Sequence, residues 1–191
     1  SNGAESVSSK AITVDLSAAS SNNVTVNYVI TGTATGSGTD FTLVNGTLTI
    51  SAGATSGTIT IGSIADDSLD EANETVILTL SSPGNATLGS DRVHTYTIND
   101  NDNAPVVDFE ATSSSGAESV SSKAITVDLS AVSSQNVTVN YDITGTATGS
   151  GTDFTFDNGT LTITTGATTS TIIITRIVDD AITEGNEKMI I

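Results

Sequence analysis

The sequence predicts an all-β chain built as two antiparallel sandwiches in tandem. Three observations carry that prediction: hydrophobic residues alternate with a period of two wherever they cluster, Gly, Asn and Ser turn signals separate the runs, and the whole pattern is written twice. The stretch from Glu5 to Leu78 returns almost letter for letter as Glu118 to Ile191, with Glu5 and Glu118, Asp40 and Asp153, and Asp66 and Asp179 each 113 residues apart. Solenoid repeats run about 20–50 residues, whereas about 100 residues suffice for a separate core. The expected organisation is two beads, residues 1–104 and 105–191.

In chain order, Ile12, Val14 and Leu16 mark the first run, Val24, Val26, Tyr28 and Ile30 the second, and Leu48 and Ile50 the third. Ile59 and Ile61 follow, then Val76, Leu78 and Leu80, and finally a run in which Val93, Thr95 and Thr97 face opposite to Tyr96 and Ile98. Thr and Ser supply the solvent face with side chains suited to a pleated surface. Turn signals sit between the runs at Ser20-Ser21-Asn22-Asn23, Gly36-Ser37-Gly38, Asn45-Gly46 and Ala52-Gly53. Asn45-Gly46 and its copy Asn158-Gly159 read as tight turns.

The segment Pro105-Val106-Val107-Asp108-Phe109-Glu110 leads into the second copy as a further strand, with no counterpart ahead of Ser1. The second copy stops at the equivalent of Leu78. The expectation is that both beads are cut at the chain ends, the first lacking its opening strand and the second its last strands, with exposed edges that invite self-association. A complete bead then carries about seven strands in two sheets, an immunoglobulin-like architecture without the disulfide.

The chain holds 5 Lys and Arg against 22 Asp and Glu, a net charge of −17, although only 14% of its residues are charged. Such a field repels nucleic acid and anionic membrane and favours cations as partners. The absence of cysteine excludes disulfides, thiolate metal sites and cysteine nucleophiles. No apolar run approaches the roughly 18 residues of a membrane-spanning helix. Asn-X-Thr sequons at Asn23, Asn45, Asn73, Asn85, Asn136 and Asn158 read as strand and turn composition rather than glycosylation sites.

The acids fall at strand ends and in loops. Asp40 precedes Phe41, Asp66-Asp67 closes a strand, Glu71 and Glu74 lead into the next, and Asp100-Asn101-Asp102 closes the last. Loops after alternate strands of a sandwich meet at one end, so these carboxylates are expected to converge. Two ionised carboxylates about 5 Å apart repel by roughly 3 kcal/mol at an effective dielectric near 20, a cost that a divalent cation removes. Oxygen-only ligands without His or Cys select calcium over zinc or copper, and a flexible multi-loop cage suits calcium better than magnesium. The pattern Asp66-Asp67-X-X-X-Glu71-X-X-Glu74 repeats as Asp179-Asp180-X-X-X-Glu184-X-X-Glu187, and its spacing is not that of an EF-hand loop.

Several motifs resemble the Calx-beta family, the calcium-binding sandwich modules of sodium-calcium exchangers, an integrin cytoplasmic tail and very large bacterial surface proteins. They are Gly32-Thr33-Ala34-Thr35-Gly36-Ser37-Gly38-Thr39-Asp40-Phe41, Asn45-Gly46-Thr47-Leu48-Thr49-Ile50, Ala65-Asp66-Asp67 through Glu71 to Asn73-Glu74-Thr75, Leu78-Thr79-Leu80-Ser81 and Thr97-Ile98-Asn99-Asp100-Asn101-Asp102. The resemblance implies calcium ligands at Glu5, Asp40, Asp66, Asp67, the Leu69 carbonyl, Glu71, Glu74, Asp100 and Asp102. In the second copy it implies Glu118, Asp153, Asp179, Asp180, the Ile182 carbonyl, Glu184 and Glu187. Asn101 stands where the family's terminal triplet is acidic and offers a neutral oxygen, and the second copy has no such triplet. Asn99-Asp100-Asn101-Asp102-Asn103-Ala104-Pro105 is also similar to the inter-repeat linker of cadherins, whose other acidic motifs are not evident. With Asp108 and Glu110 close behind, calcium is expected to stiffen the junction, and scattering profiles unchanged by a chelator would overturn that expectation.

Near-identical copies favour a calcium-binding structural or adhesive repeat of a larger extracellular or cell-surface protein, with neighbouring repeats and a surface or matrix ligand as partners. The alternative is a regulatory calcium sensor of a membrane transporter-like protein, in which repeats diverge. Catalysis is not expected, because His94 is the sole histidine, no Ser-His-Asp set exists and no aromatic cleft for sugar is evident.

Overall fold

The computed structural model describes residues 1–149, 151–181 and 185–191. It divides into two compact units, Ser1–Ser68 with Ala72–Asp102, and Leu69–Glu71 with Asn103–Ile191. Every named element is a strand, and among the described residues no helix is long and apolar enough to cross a membrane.

The first unit contains β1 (Asn2–Ala4), β2 (Ser9–Asp15), β3 (Val24–Gly32), β4 (Gly46–Ile50), β5 (Ser56–Gly62), β6 (Glu74–Gly84) and β7 (Val93–Asn99). One sheet has the order β1-β7-β6-β3-β4, and β2 pairs with β5 in the other. The period-two pattern explains which side chains go inside. Ile12, Ile59 and Ile61 from the small sheet meet Val76, Leu78, Tyr96 and Ile98 from the large one, and Phe41 and Ile64 close the core from loops. Thr95 in β7 stays exposed between neighbours of the opposite face, His94 and Tyr96, as the alternation requires. The β3–β6 register slips between Thr25 and Asn27, where β6 carries the extra residue. Ser82 takes φ 46 there, and Pro83, which has no N–H for the ladder, sits next to it.

Two expectations about local structure are corrected. The first sheet is not wholly antiparallel, because β1 runs parallel to β7, with Gly3 opposite Ile98 and Ala4 opposite Asn99. Asn45-Gly46 is not a hairpin turn: β3 ends at Gly32, Gly46 opens β4, and Tyr28 is its cross-strand partner. Asn45 instead fixes the long connection through its Oδ1, which accepts a hydrogen bond from the Ile30 amide at 2.8 Å. A Cβ on Gly46 would stand 2.7 Å from the Tyr28 hydroxyl, so a close approach rather than turn geometry selects glycine. Asn158-Gly159 repeats the arrangement, with Ile143 N donating to Asn158 Oδ1 at 2.8 Å and Gly159 opposite Tyr141.

The second unit contains β8 (Val107–Phe109), β9 (Ser122–Leu129), β10 (Val137–Tyr141), β11 (Thr144–Gly145), β12 (Gly159–Ile163), β13 (Thr169–Thr175) and β14 (Met189–Ile190). The lead-in segment forms β8 and pairs antiparallel with β9, which pairs with β13, while β10 pairs with β12 and β11 with β14. Val127, Leu129, Leu161, Ile163 and Ile172 make its core, and Tyr141 stacks on Phe156 at 5.5 Å between ring centres. Repetition of sequence brings repetition of register. Gly32 faces Val76 and Thr31 faces Ile77 in the first unit, and Gly145 faces Met189 and Thr144 faces Ile190 in the second.

Candidate metal centre

Three segments of the first unit deliver carboxylates to one place. Glu5 follows β1 directly, and its amide donates to the Asn99 carbonyl at 3.1 Å, which carries the β1–β7 pairing one residue further. Its side chain belongs to the interior, at 6% exposure. Asp67 lies on the connection from β5 to β6 and is exposed, while Asp102 follows β7 and is half-buried, its Oδ2 shut off from solvent. Ligand oxygens of Glu5, Asp67 and Asp102 lie within 4.8 Å of one another.

Each pair of such charges repels by about 3 kcal/mol at an effective dielectric near 20, and by less where Asp67 faces water. A cation at the centre turns that repulsion into attraction. The donor set fits a hard divalent ion, since it is all oxygen and all anionic. Oxygens bound to calcium at 2.3–2.6 Å can stand up to about 5 Å apart across the ion, and three ligand atoms within 4.8 Å of one another fall inside that span.

The loops around the cluster are tied together before any ion is considered. Asn101 Nδ2 donates to Asp66 Oδ1 at 3.3 Å, and Asn101 Oδ1 accepts from the Ser6 amide at 3.4 Å. Asp100 Oδ1 accepts from the Asp102 amide at 3.3 Å, a local turn that orients the last acid of the set. Asp100 N donates to Asn73 Oδ1 at 3.0 Å, joining this turn to the start of β6. Asp40 is held within its own loop: its Oδ2 accepts from the Thr35 amide, its own amide donates to Thr35 O at 3.0 Å, and its carbonyl accepts from Ala65 N at 2.9 Å. It closes its own loop and anchors the segment that leads to Asp66.

Of the residues singled out from sequence, Glu5, Asp67 and Asp102 come together, with Asp66, Asn101 and Asp100 bonded to their neighbours. Glu74 opens β6 opposite Ile98. Leu69 and Glu71 group with the second unit. There, Asp153 repeats the loop-closing task of Asp40, accepting from the Thr148 amide, and its carbonyl accepts from Val178 N at 2.9 Å. Glu118, Asp179, Asp180 and Glu187 are exposed, and Ile182 and Glu184 lie outside the described residues. Among the described residues, the acids of the second copy form no cluster comparable with Glu5, Asp67 and Asp102. Sequence reasoning missed Asn73 as a tie, because its place in an Asn-X-Thr triplet gives no hint of a partner 27 positions away.

His94 and Tyr96 on β7 both have displaced titration. Burial first, then the positive charges of the Ser1 amino group and Lys10, hold the His94 imidazole below its ordinary value of 6.5. Burial pushes the Tyr96 phenol above its ordinary value of 10.0.

No curated protein matches the chain. Among solved structures it is similar to CBD12 from CALX1.2, at 22% identity and a TM-score of 0.49 over 92% of this chain and 72% of that one. It is similar also to the calcium binding domain CBD12 of CALX1.1, at 21% identity and 0.48 over 93% and 72%. The apo form of the Calx CBD1 domain gives 26% identity and 0.47 over 53% of this chain and 89% of that one. The model of the Calx-beta domain matches twice, over residues 2–102 and 100–191. With nearly every residue inside one match or the other, the chain belongs to the Calx-beta domain family.

Proposed function

We propose that the chain is a tandem of calcium-binding modules, residues 1–104 and 105–191, and that calcium holds the acidic pole of the first module in one arrangement. The observation that carries this reading is the meeting of Glu5, Asp67 and Asp102 from three separate segments, with ligand oxygens within 4.8 Å. Asp40, Asp66, Glu74, Asp100 and Asn101 are the proposed additional oxygen donors and supports, with the Leu69 carbonyl and Glu71 added by the family pattern. Glu118, Asp153, Asp179, Asp180, the Ile182 carbonyl, Glu184 and Glu187 form the proposed second set. No catalytic step is assigned.

For the protein that carries the module, the reading adopted is regulatory: calcium uptake reverses the electrostatics of a loop pole and so reports the ion's concentration. A second reading, a structural or adhesive extracellular repeat, is favoured by the near identity of the two copies. Affinity separates them. In EF-hand proteins sensors bind calcium at about 0.1–10 µM and extracellular modules at about 0.1–1 mM, and a calorimetric titration of this chain places it in one range or the other.

The metal reading itself is tested by melting. Calcium at a hundredfold above its dissociation constant adds about 2.7 kcal/mol to the stability of the binding unit. Replacing Asp66 and Asp67 together by Asn is expected to remove most of the calcium-dependent rise in Tm. A rise that survives in the double variant places the ion elsewhere.

A further inference from the structure

We propose that Gly3 and Tyr96 are a positioning pair for Glu5: the bare glycine lets the phenol hydroxyl seat against β1, and that contact fixes the strand whose end presents the Glu5 carboxylate to the ion. The inference rests on the calcium reading above and deepens it.

The geometry starts from a weakness. β1 has three residues and a single neighbour, β7, so its ladder holds it loosely. Glu5 lies one residue beyond the last paired position and continues the register through its amide to Asn99. Any slide or lift of β1 therefore moves the carboxylate. Tyr96 stands on β7 two residues before Ile98, the partner of Gly3, and is fully buried. Its hydroxyl is enclosed without a hydrogen-bond partner, so hydrogen bonding does not explain why the ring carries it. Gly3 is a close neighbour of that oxygen. A Cβ built on Gly3 would collide with Tyr96 Oη, yet would stand at an ordinary 3.4 Å from Cζ and 3.7 Å from Cε2. The obstruction is the hydroxyl alone.

The same contact recurs where strand register needs fixing. A Cβ on Gly46 would lie 2.7 Å from the Tyr28 hydroxyl, and one on Gly159 would lie 2.6 Å from that of Tyr141. Only at Gly3 does the glycine stand two residues before an acid of the cluster. The second copy supplies an internal control. Gly116-Ala117-Glu118 repeats the sequence and the turn, with Val120 N donating to Ala117 O at 3.1 Å as Val7 N does to Ala4 O. Residues 115–117 form no strand there, and Glu118 is exposed where Glu5 is buried. The local sequence makes the turn, and burial of the acid accompanies the pairing of β1 with β7.

The test is a double-mutant cycle on the whole chain, with calcium chloride titrated calorimetrically and amide hydrogen exchange followed in chelator. Gly3→Ala is expected to weaken calcium binding by about ten-fold or more, the loss typical when a supporting contact behind a metal ligand is removed. It is also expected to speed exchange of the Glu5 amide. Tyr96→Phe alone removes the contact without creating a clash, and is expected to weaken binding and speed exchange of the Glu5 amide by less than Gly3→Ala does. Gly3→Ala with Tyr96→Phe restores both affinity and protection to the level of Tyr96→Phe alone, because only the hydroxyl blocks the added methyl. Gly3→Ala that binds as tightly as the wild type, or a loss that Tyr96→Phe does not repair, overturns the proposal. If the unmodified chain takes up no calcium, the metal reading fails, and exchange at the Glu5 amide still decides whether the pair sets the strand.

Discussion

At the scale of single residues, the acids divide into those that gather charge and those that shape loops. Glu5, Asp67 and Asp102 do the first, while Asp40 and its copy Asp153 spend a carboxylate oxygen on a backbone amide five positions earlier. Sequence alone renders these alike, since an Asp that caps a turn and an Asp that binds an ion both sit in loops beside Gly and Thr. Asn73 and Asn101 show the same limit, because a side-chain amide that ties two loops looks like turn composition until its partner is known. His94 provides a pH signature. Its imidazole is held below 6.5 in the folded state, so the unfolded chain binds the proton more readily. Its contribution is therefore complete above pH 6.5 and is lost as pH falls from there through the lower folded value. Melting between pH 7.5 and 5.5 in chelator should show a downward trend that His94→Gln makes shallower, and an identical slope in the variant would assign the trend to other groups.

At the scale of elements, strands with apolar residues were legible, down to the three-residue β8, and β1 was not. The alternation of Val24 and Val26, of Val76 and Leu78, and of Tyr96 and Ile98 marks β3, β6 and β7, because one face of each is buried and the other is wet. β1 has the sequence Asn-Gly-Ala, without an apolar pattern, and its parallel pairing with β7 arises from contacts almost a hundred residues away. Asn45-Gly46 misled for a related reason: the dipeptide favours a turn locally, but the Tyr28 ring across the ladder demands the glycine. The core makes its own demand. Ile61 on β5 is fully buried between the sheets, and Ile61→Ala is expected to cost about 2–5 kcal/mol, read as a shift in the denaturant midpoint of the first unit's transition. A loss under about 0.5 kcal/mol would mean that the two sheets do not close on each other there.

At the scale of the whole molecule, a net charge of −17 is carried by a chain in which only 14% of residues are charged, so local clusters rather than general acidity set the response to cations. The two copies should therefore respond unequally. Asp179 and Asp180 are exposed and gather with no third acid among the described residues, in contrast to Asp67. Replacing both by Asn is expected to remove a smaller part of the calcium-dependent rise in Tm than the same change at Asp66 and Asp67, and an equal or larger loss would place the main site in the second copy. The matching register of β3 with β6 and of β11 with β14 has a further consequence. During refolding, β6 meets a near copy of its partner β3 on the same polypeptide, since Val24–Gly32 and Val137–Gly145 differ only at Val29 and Asp142, so exchange between the copies is a hazard built into the duplication. Diluting the sample separates one chain from the next but cannot part the two copies, and misfolding by this route keeps its share at any protein concentration.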